Sequence, residues 1–118
     1  VKHREYWRPF AGIVQEDKVS DYFEESFPTP YMLYTQHAKT DILPAITHED
    51  GTCRIQTVNK EQNEKVYDLL SLLDHPVVLN TSFNDSGEPI VETPYHAIKA
   101  FLNMDIDHLV IGDFIVDK

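Results

Sequence analysis

A chain of 118 residues is the usual length of one domain, and 42% hydrophobic with 25% charged residues is ordinary for a globular protein with one core. The net charge of −10 removes the basic surface on which general nucleic-acid binding rests, and no apolar run approaches the ~20 residues that span a bilayer. The one cysteine, Cys53, excludes an intramolecular disulfide and points to a reduced, cytoplasmic setting.

In chain order, residues 10–14 read as a short strand. Val19, Tyr22 and Phe23 follow helical spacing behind Ser20 and Asp21 as cap or first-turn residues, and Pro28 and Pro30 stop that helix. Residues 31–35 are strand-like. From Thr52 to Val58 the pattern alternates: Cys53, Ile55 and Thr57 face one way, and Arg54, Gln56 and Val58 the other. Cys53 therefore reads as a small buried residue rather than a nucleophile.

Asn59 with Gln62 three residues later resembles a capping box, and Val66, Leu69, Leu70 and Leu73 then form an apolar helical stripe. Val77, Val78 and Leu79 make a continuous apolar run of the kind that marks a buried strand, leading into a polar loop from Asn80 to Glu88. Thr93 caps a second helix with Pro94 at its first position, its core face being Ala97, Ile98, Phe101 and Leu102. The chain closes with two short strands around Gly112-Asp113, where a glycine in first place suits a type II′ hairpin. Strands and helices interleave, so the class is α/β (α+β): one domain, residues 1–118, with helices packed on a twisted mixed sheet.

Three constellations carry chemistry. Arginine is scarce, only Arg4, Arg8 and Arg54, so its placement is informative. Lys2 and Arg4, two apart on a strand, present two cations to one side, a point charge beside a planar fork that suits a polyphosphate. Thr81 to Pro89 follows the apolar strand. Ser82 and Asn84 can there donate to phosphate or carbonyl oxygen at a strand's C-terminal end, and Gly87 allows a tight turn. His48-Glu49-Asp50-Gly51-Thr52 leads to Arg54, Gln56 and Thr57. With no third ligand at metal spacing, it reads as a turn preceding a phosphate-facing arginine, and no protein metal site is expected.

Lys2, Arg4 and Pro9, taken with Ser82, Asn84, Ser86 and Gly87, resemble the YrdC-like fold, whose members activate a carbamoyl or carbamate group with ATP. Further stretches narrow the match. Residues 4–11 (Arg4 to Ala11), 44–48 (Pro44 to His48), 54–58 (Arg54 to Val58), 79–84 (Leu79 to Asn84) and 87–91 (Gly87 to Val91) resemble the C-terminal region of the NodU-type and antibiotic O-carbamoyltransferases. The resemblance covers nearly the whole chain. Two departures stand out. The arginine-rich segment that family members carry shortly upstream precedes this chain's first residue, which implies truncation at the N-terminus. Leu73 to Pro76 joins helix to strand more directly than in the family.

The resemblance implies a domain that condenses ATP and carbamoyl phosphate to carbamoyl-adenylate and pyrophosphate, while an upstream metal-dependent domain of the same polypeptide transfers the group to a hydroxyl. It implies Lys2 and Arg4 on the ATP phosphates and Arg54 on carbamoyl phosphate or departing pyrophosphate. It puts Ser82 and Asn84 on the carbamoyl group or α-phosphate, and brings Mg²⁺ in with the nucleotide. Arg54, Ser82 and Asn84 are thus the catalytic candidates. No nucleic acid or membrane is expected as a partner. An apolar patch at the start of the chain is expected to favour a homodimer. The alternatives are a stand-alone threonylcarbamoyl-adenylate synthase, whose tRNA-facing basic surface a charge of −10 does not supply, and a non-catalytic module of the same fold.

Overall fold

The computed structural model describes residues 10–118, which fall into two compact units, residues 10–81 and Ser82–Lys118. The first carries strands β1 (Ala11–Gln15), β2 (Thr35–His37), β3 (Thr52–Val58) and β4 (Val77–Asn80) in the sheet order β2-β3-β1-β4. β1 and β3 run parallel, while β2 and β4 are antiparallel edge strands, so the sheet is mixed and the class α+β, as expected. Helices α1 (Val19–Tyr22) and α2 (Lys60–Ser71) belong to the same unit.

β3 has the alternation its sequence dictates. Cys53, Ile55 and Thr57 are buried on one face, where Cys53 and Ile55 join Val14, Val19, Phe23 and Ile46 in the main core. Each such buried aliphatic side chain contributes about 1.5–3 kcal/mol. Gly12 lies on that face of β1, and a Cβ there would sit 2.7 Å from Ile46 Cδ1, so any side chain would have to push Ile46 aside.

Two expectations in this stretch shift. The first helix is a single turn entered through a 3-10 turn, Glu16–Lys18. Ser20 and Asp21 lie within it, and the backbone is already extended at Phe23, ahead of Pro28 and Pro30. The strand expected over residues 31–35 begins only at Thr35, because Pro30 and Tyr31 form a turn that ends with Met32 at φ 55°.

α2 starts as predicted. Asn59 accepts from the Gln62 amide (3.0 Å), and the Gln62 side chain accepts from the Asn59 amide (3.1 Å), which satisfies two otherwise orphaned donors. Asn63, at φ −160° and ψ 92°, interrupts the helix. Its side chain accepts from Val66 N (3.2 Å) and so caps a second time. The expected apolar stripe is corrected: Leu70 is fully buried, whereas Leu69 (57%) and Leu73 (41%) are exposed. The contact with the sheet is partly polar, since buried Gln15 donates through Nε2 to the Tyr67 carbonyl (2.9 Å) and to Ser71 Oγ (2.6 Å). β4 is likewise an edge strand with Leu79 exposed, not a strand buried on both faces.

The second unit holds α3 (Pro94–Asn103) and the hairpin of β5 (His108–Ile111) and β6 (Phe114–Asp117). Thr93 caps α3 by accepting from His96 N (3.2 Å), with Pro94 at the first position. Ala97, Ala100 and Phe101 are buried, but Ile98 and Leu102 are exposed, so the inward face is rotated from the one the sequence suggested. Ala97 and Phe101 pack with Leu109, and Val91 and Ile106 close round them. At the hairpin tip Gly112 has φ 59° while Asp113 is not left-handed, the pattern of a II′ turn.

Candidate functional site

Arg54 sits in the middle of β3, directly opposite Thr35 of β2, on the face away from the main core. Alternation alone puts it there. It is exposed, and no carboxylate among the described residues pairs with it. A guanidinium held on a strand with its donors uncommitted can take a phosphate or carboxylate as a bidentate ligand.

Two residues further along the same face, Gln56 joins a fixed amide chain. Gln56 Nε2 donates to the Pro30 carbonyl (2.9 Å), and Gln56 Oε1 accepts from Asn80 Nδ2 on β4. The second Asn80 N–H points to Met32 Sδ (3.9 Å). Because a carbonyl can only accept, the Pro30 contact fixes which end of the Gln56 amide carries the oxygen, and that in turn fixes Asn80. The turn supplying Pro30 is itself tied to the sheet. Thr29 N donates to Thr57 Oγ1 (2.9 Å), and Thr57 N donates to the Thr29 carbonyl (3.2 Å). A cleft of about 410 Å³ opens beside this turn, lined by Pro30, Tyr31, Gln56, Gln62, Asn63 and Val66 among others.

Ser82 and Asn84 belong to the second unit. Ser82 Oγ donates to Asn84 Oδ1 (2.6 Å), and Asn84 Nδ2 donates to the Asp85 (3.3 Å) and Glu88 (2.8 Å) carbonyls. The loop is closed by Ser86 N to Asp85 Oδ1 (2.8 Å) and turns at Gly87, where φ is 79° and a side chain would be strained. The pair proposed from sequence is therefore brought together, with Asn84 organising the loop. Lys2 and Arg4 lie outside the described residues.

The His48-to-Thr52 segment is a turn. Gly51 N donates to the His48 carbonyl (3.0 Å), and the Asp50 carboxylate accepts from Thr52 Oγ1 (2.7 Å) and Thr52 N (3.0 Å), hydrogen bonds that hold its pKa below the ordinary carboxylate value. No group of three or more His, Cys, Asp or Glu among the described residues is placed to hold a metal ion. Cys53 is buried, and burial pushes its thiol up from the usual range, so it is no nucleophile at neutral pH.

The model of the family described as Carbamoyltransferase C-terminus matches residues 1–118. The chain belongs to this family. The nodulation protein NolO of Bradyrhizobium diazoefficiens is 42% identical over all of this chain and 23% of its own length. The 3'-hydroxymethylcephem-O-carbamoyltransferase of Amycolatopsis lactamdurans is 33% identical over 96% of this chain and 23% of its own. An uncharacterized Synechocystis protein, sll1178, is 40% identical over all of the chain and 24% of its own. The chain thus spans about a quarter of the length of these curated relatives. Among the described residues no helix of this domain is long and apolar enough to cross a membrane. The sequence names Gln56 beside Arg54 and Asn80 at the start of the polar loop, but nothing local in it shows that the two bond to each other.

Proposed function

We propose that this chain is the YrdC-like, ATP-handling domain of a carbamoyltransferase, holding ATP and carbamoyl phosphate while carbamoyl-adenylate forms. Pyrophosphate leaves, and phosphate with it once water is counted. A separate upstream domain then passes the carbamoyl group to a hydroxyl acceptor. The observation that carries this reading is Arg54: a strand-held guanidinium, unpaired by any described carboxylate in a chain of net charge −10, beside a fixed amide network.

Each proposed role follows from the chemistry of the group. Two anions must be held together while charge shifts among phosphate oxygens, and preorganised donors and cations do most of that work. Arg54 takes the phosphate of carbamoyl phosphate or the departing pyrophosphate. Ser82 and Asn84 take the carbamoyl group or the α-phosphate, with Asn84 holding the loop that presents them. Lys2 and Arg4 take the ATP phosphates. Mg²⁺, bound with the nucleotide, supplies charge neutralisation on those oxygens. The acidic remainder of the chain repels stray polyanions, and the single cysteine fits a reduced, cytoplasmic setting.

Calorimetric titration with carbamoyl phosphate tests the reading. Arg54→Ala should weaken binding about ten- to hundredfold, the worth of a hydrogen bond to a charged group, and Arg54→Lys should lose less. Equal affinities for wild type and Arg54→Ala would remove Arg54 from the site.

A further inference from the structure

Carbamoyl phosphate differs from an acyl phosphate in one respect that a protein can read: its NH₂ group must donate. Arginine cannot receive that donation, so a site built on Arg54 needs an acceptor placed at a set distance from it. We propose that Asn80 is that acceptor and selects a carbamoyl over an acyl phosphate, an inference that rests on reading this domain as the carbamoyl-phosphate site.

The amide chain gives the direction. Pro30 forces the Gln56 oxygen toward Asn80, and both Asn80 N–H groups are then engaged, by Gln56 and by Met32 Sδ. Asn80 Oδ1 is the end left over, and no described donor is bonded to it. An asparagine free to rotate would present N–H or C=O equally. This one presents C=O only, which suits an N–H and disfavours a methyl group or another acceptor.

The sheet register gives the distance. Asn80 pairs with Ala11, and Arg54 and Ala11 each precede the Gly12–Ile55 pair by one residue. Arg54, Ala11 and Asn80 therefore form one row across β3, β1 and β4. Paired residues point to the same side, so the row lies on the face that carries the Gln56–Asn80 bond, which passes over β1. Strands spaced about 4.8 Å apart put the outer two backbones roughly 10 Å apart. That span is the one a small phosphorylated amide would bridge above the buried Ala11, its phosphate on the guanidinium and its N–H on Asn80 at about 2.9 Å.

The test uses two stable phosphonates that differ only in this group: phosphonoacetamide, which carries NH₂, and acetonylphosphonate, which carries CH₃. Their affinities are measured calorimetrically for the protein at its natural length. Wild type should favour the amide about tenfold or more, and Asn80→Leu should bring the ratio close to one, since an unmet acceptor costs roughly one to two decades in affinity. Asn80→Ala gives the same readout if leucine prevents folding. The ratio also controls for partial folding, because both ligands meet the same folded fraction. Gln56→Leu, which frees the Asn80 amide to rotate, should give an intermediate ratio. A ratio unchanged in Asn80→Leu or Asn80→Ala would overturn the proposal while leaving the phosphate role of Arg54 intact. If wild type bound neither phosphonate, the underlying reading of the domain would fall instead.

Discussion

Ser82 Oγ donates to Asn84 Oδ1 at 2.6 Å, and the Asn84 amide nitrogen in turn holds the carbonyls of Asp85 and Glu88. One side chain thus ties the loop from Ser82 to Glu88, which Phe83 anchors to the core of the second unit. Asn84→Ala should raise the hydrogen-exchange rate of the Glu88 amide, which donates to the Asp85 carbonyl, by about tenfold, the worth of one or two net hydrogen bonds. Unchanged exchange at Glu88 would show that Asn84 does not organise the loop.

Gly12 is a packing position. Because a Cβ there meets Ile46 Cδ1 at 2.7 Å and Val77 Cγ1 at 3.4 Å, Gly12→Val should destabilise the first unit by about 1–3 kcal/mol, the usual cost of overfilling a core. Gly12→Ala should cost less, since the Ile46 side chain can shift. Chemical denaturation measures both, and a Gly12→Val midpoint equal to wild type would contradict the packing.

A pH dependence follows from Glu25 and His37. Glu25 accepts from His37 N (2.7 Å) and pairs with its ring at Nδ1 (2.5 Å). The hydrogen bond to Glu25 raises the His37 pKa, and the same bond lowers that of Glu25. The His37 contribution is therefore complete below its unfolded value of 6.5 and is lost as pH rises through the raised folded value. The Glu25 contribution is complete above 4.5 and is lost as pH falls through the lowered one. The melting-temperature gap between wild type and Glu25→Gln should be widest between pH 4.5 and 6.5 and narrow on both sides. The effect should be small, since both groups are solvent-exposed. A gap that did not vary with pH would exclude the pair.

Cys53 should resist alkylation by iodoacetamide at neutral pH in the folded protein and react once denatured, because burial both hides the thiol and disfavours its thiolate. Fast labelling of the native chain would mean that the sheet face carrying Ile55 opens readily.

How much of this could be read in advance depended on whether the signal was local. β3 was legible because one of its faces is core, so burial and alternation coincide. The starts of α2 and α3 were legible because caps are made by side chains within three residues of the helix end. Leu69, Leu73, Ile98 and Leu102 misled because apolar spacing says that a helix has a face but not which way a partly covered helix turns. β4 misled because an apolar run does not distinguish a central strand from an edge one. Arg54 could be placed on a polar sheet face from its period. The Gln56–Asn80 bond could not, because it depends on β1 threading between β3 and β4 in a particular register, a long-range fact with no local pattern.

Pyrophosphate release from ATP, followed with and without carbamoyl phosphate and with no hydroxyl acceptor present, tests the central claim most directly. The protein at its natural length should release pyrophosphate only when carbamoyl phosphate is added, and Arg54→Ala should lower that rate about ten- to hundredfold. The 118-residue chain by itself should carbamoylate no hydroxyl, because transfer needs acceptor and activated group held in near-attack geometry. Release that ignored carbamoyl phosphate, or that Arg54→Ala left unchanged, would contradict the account.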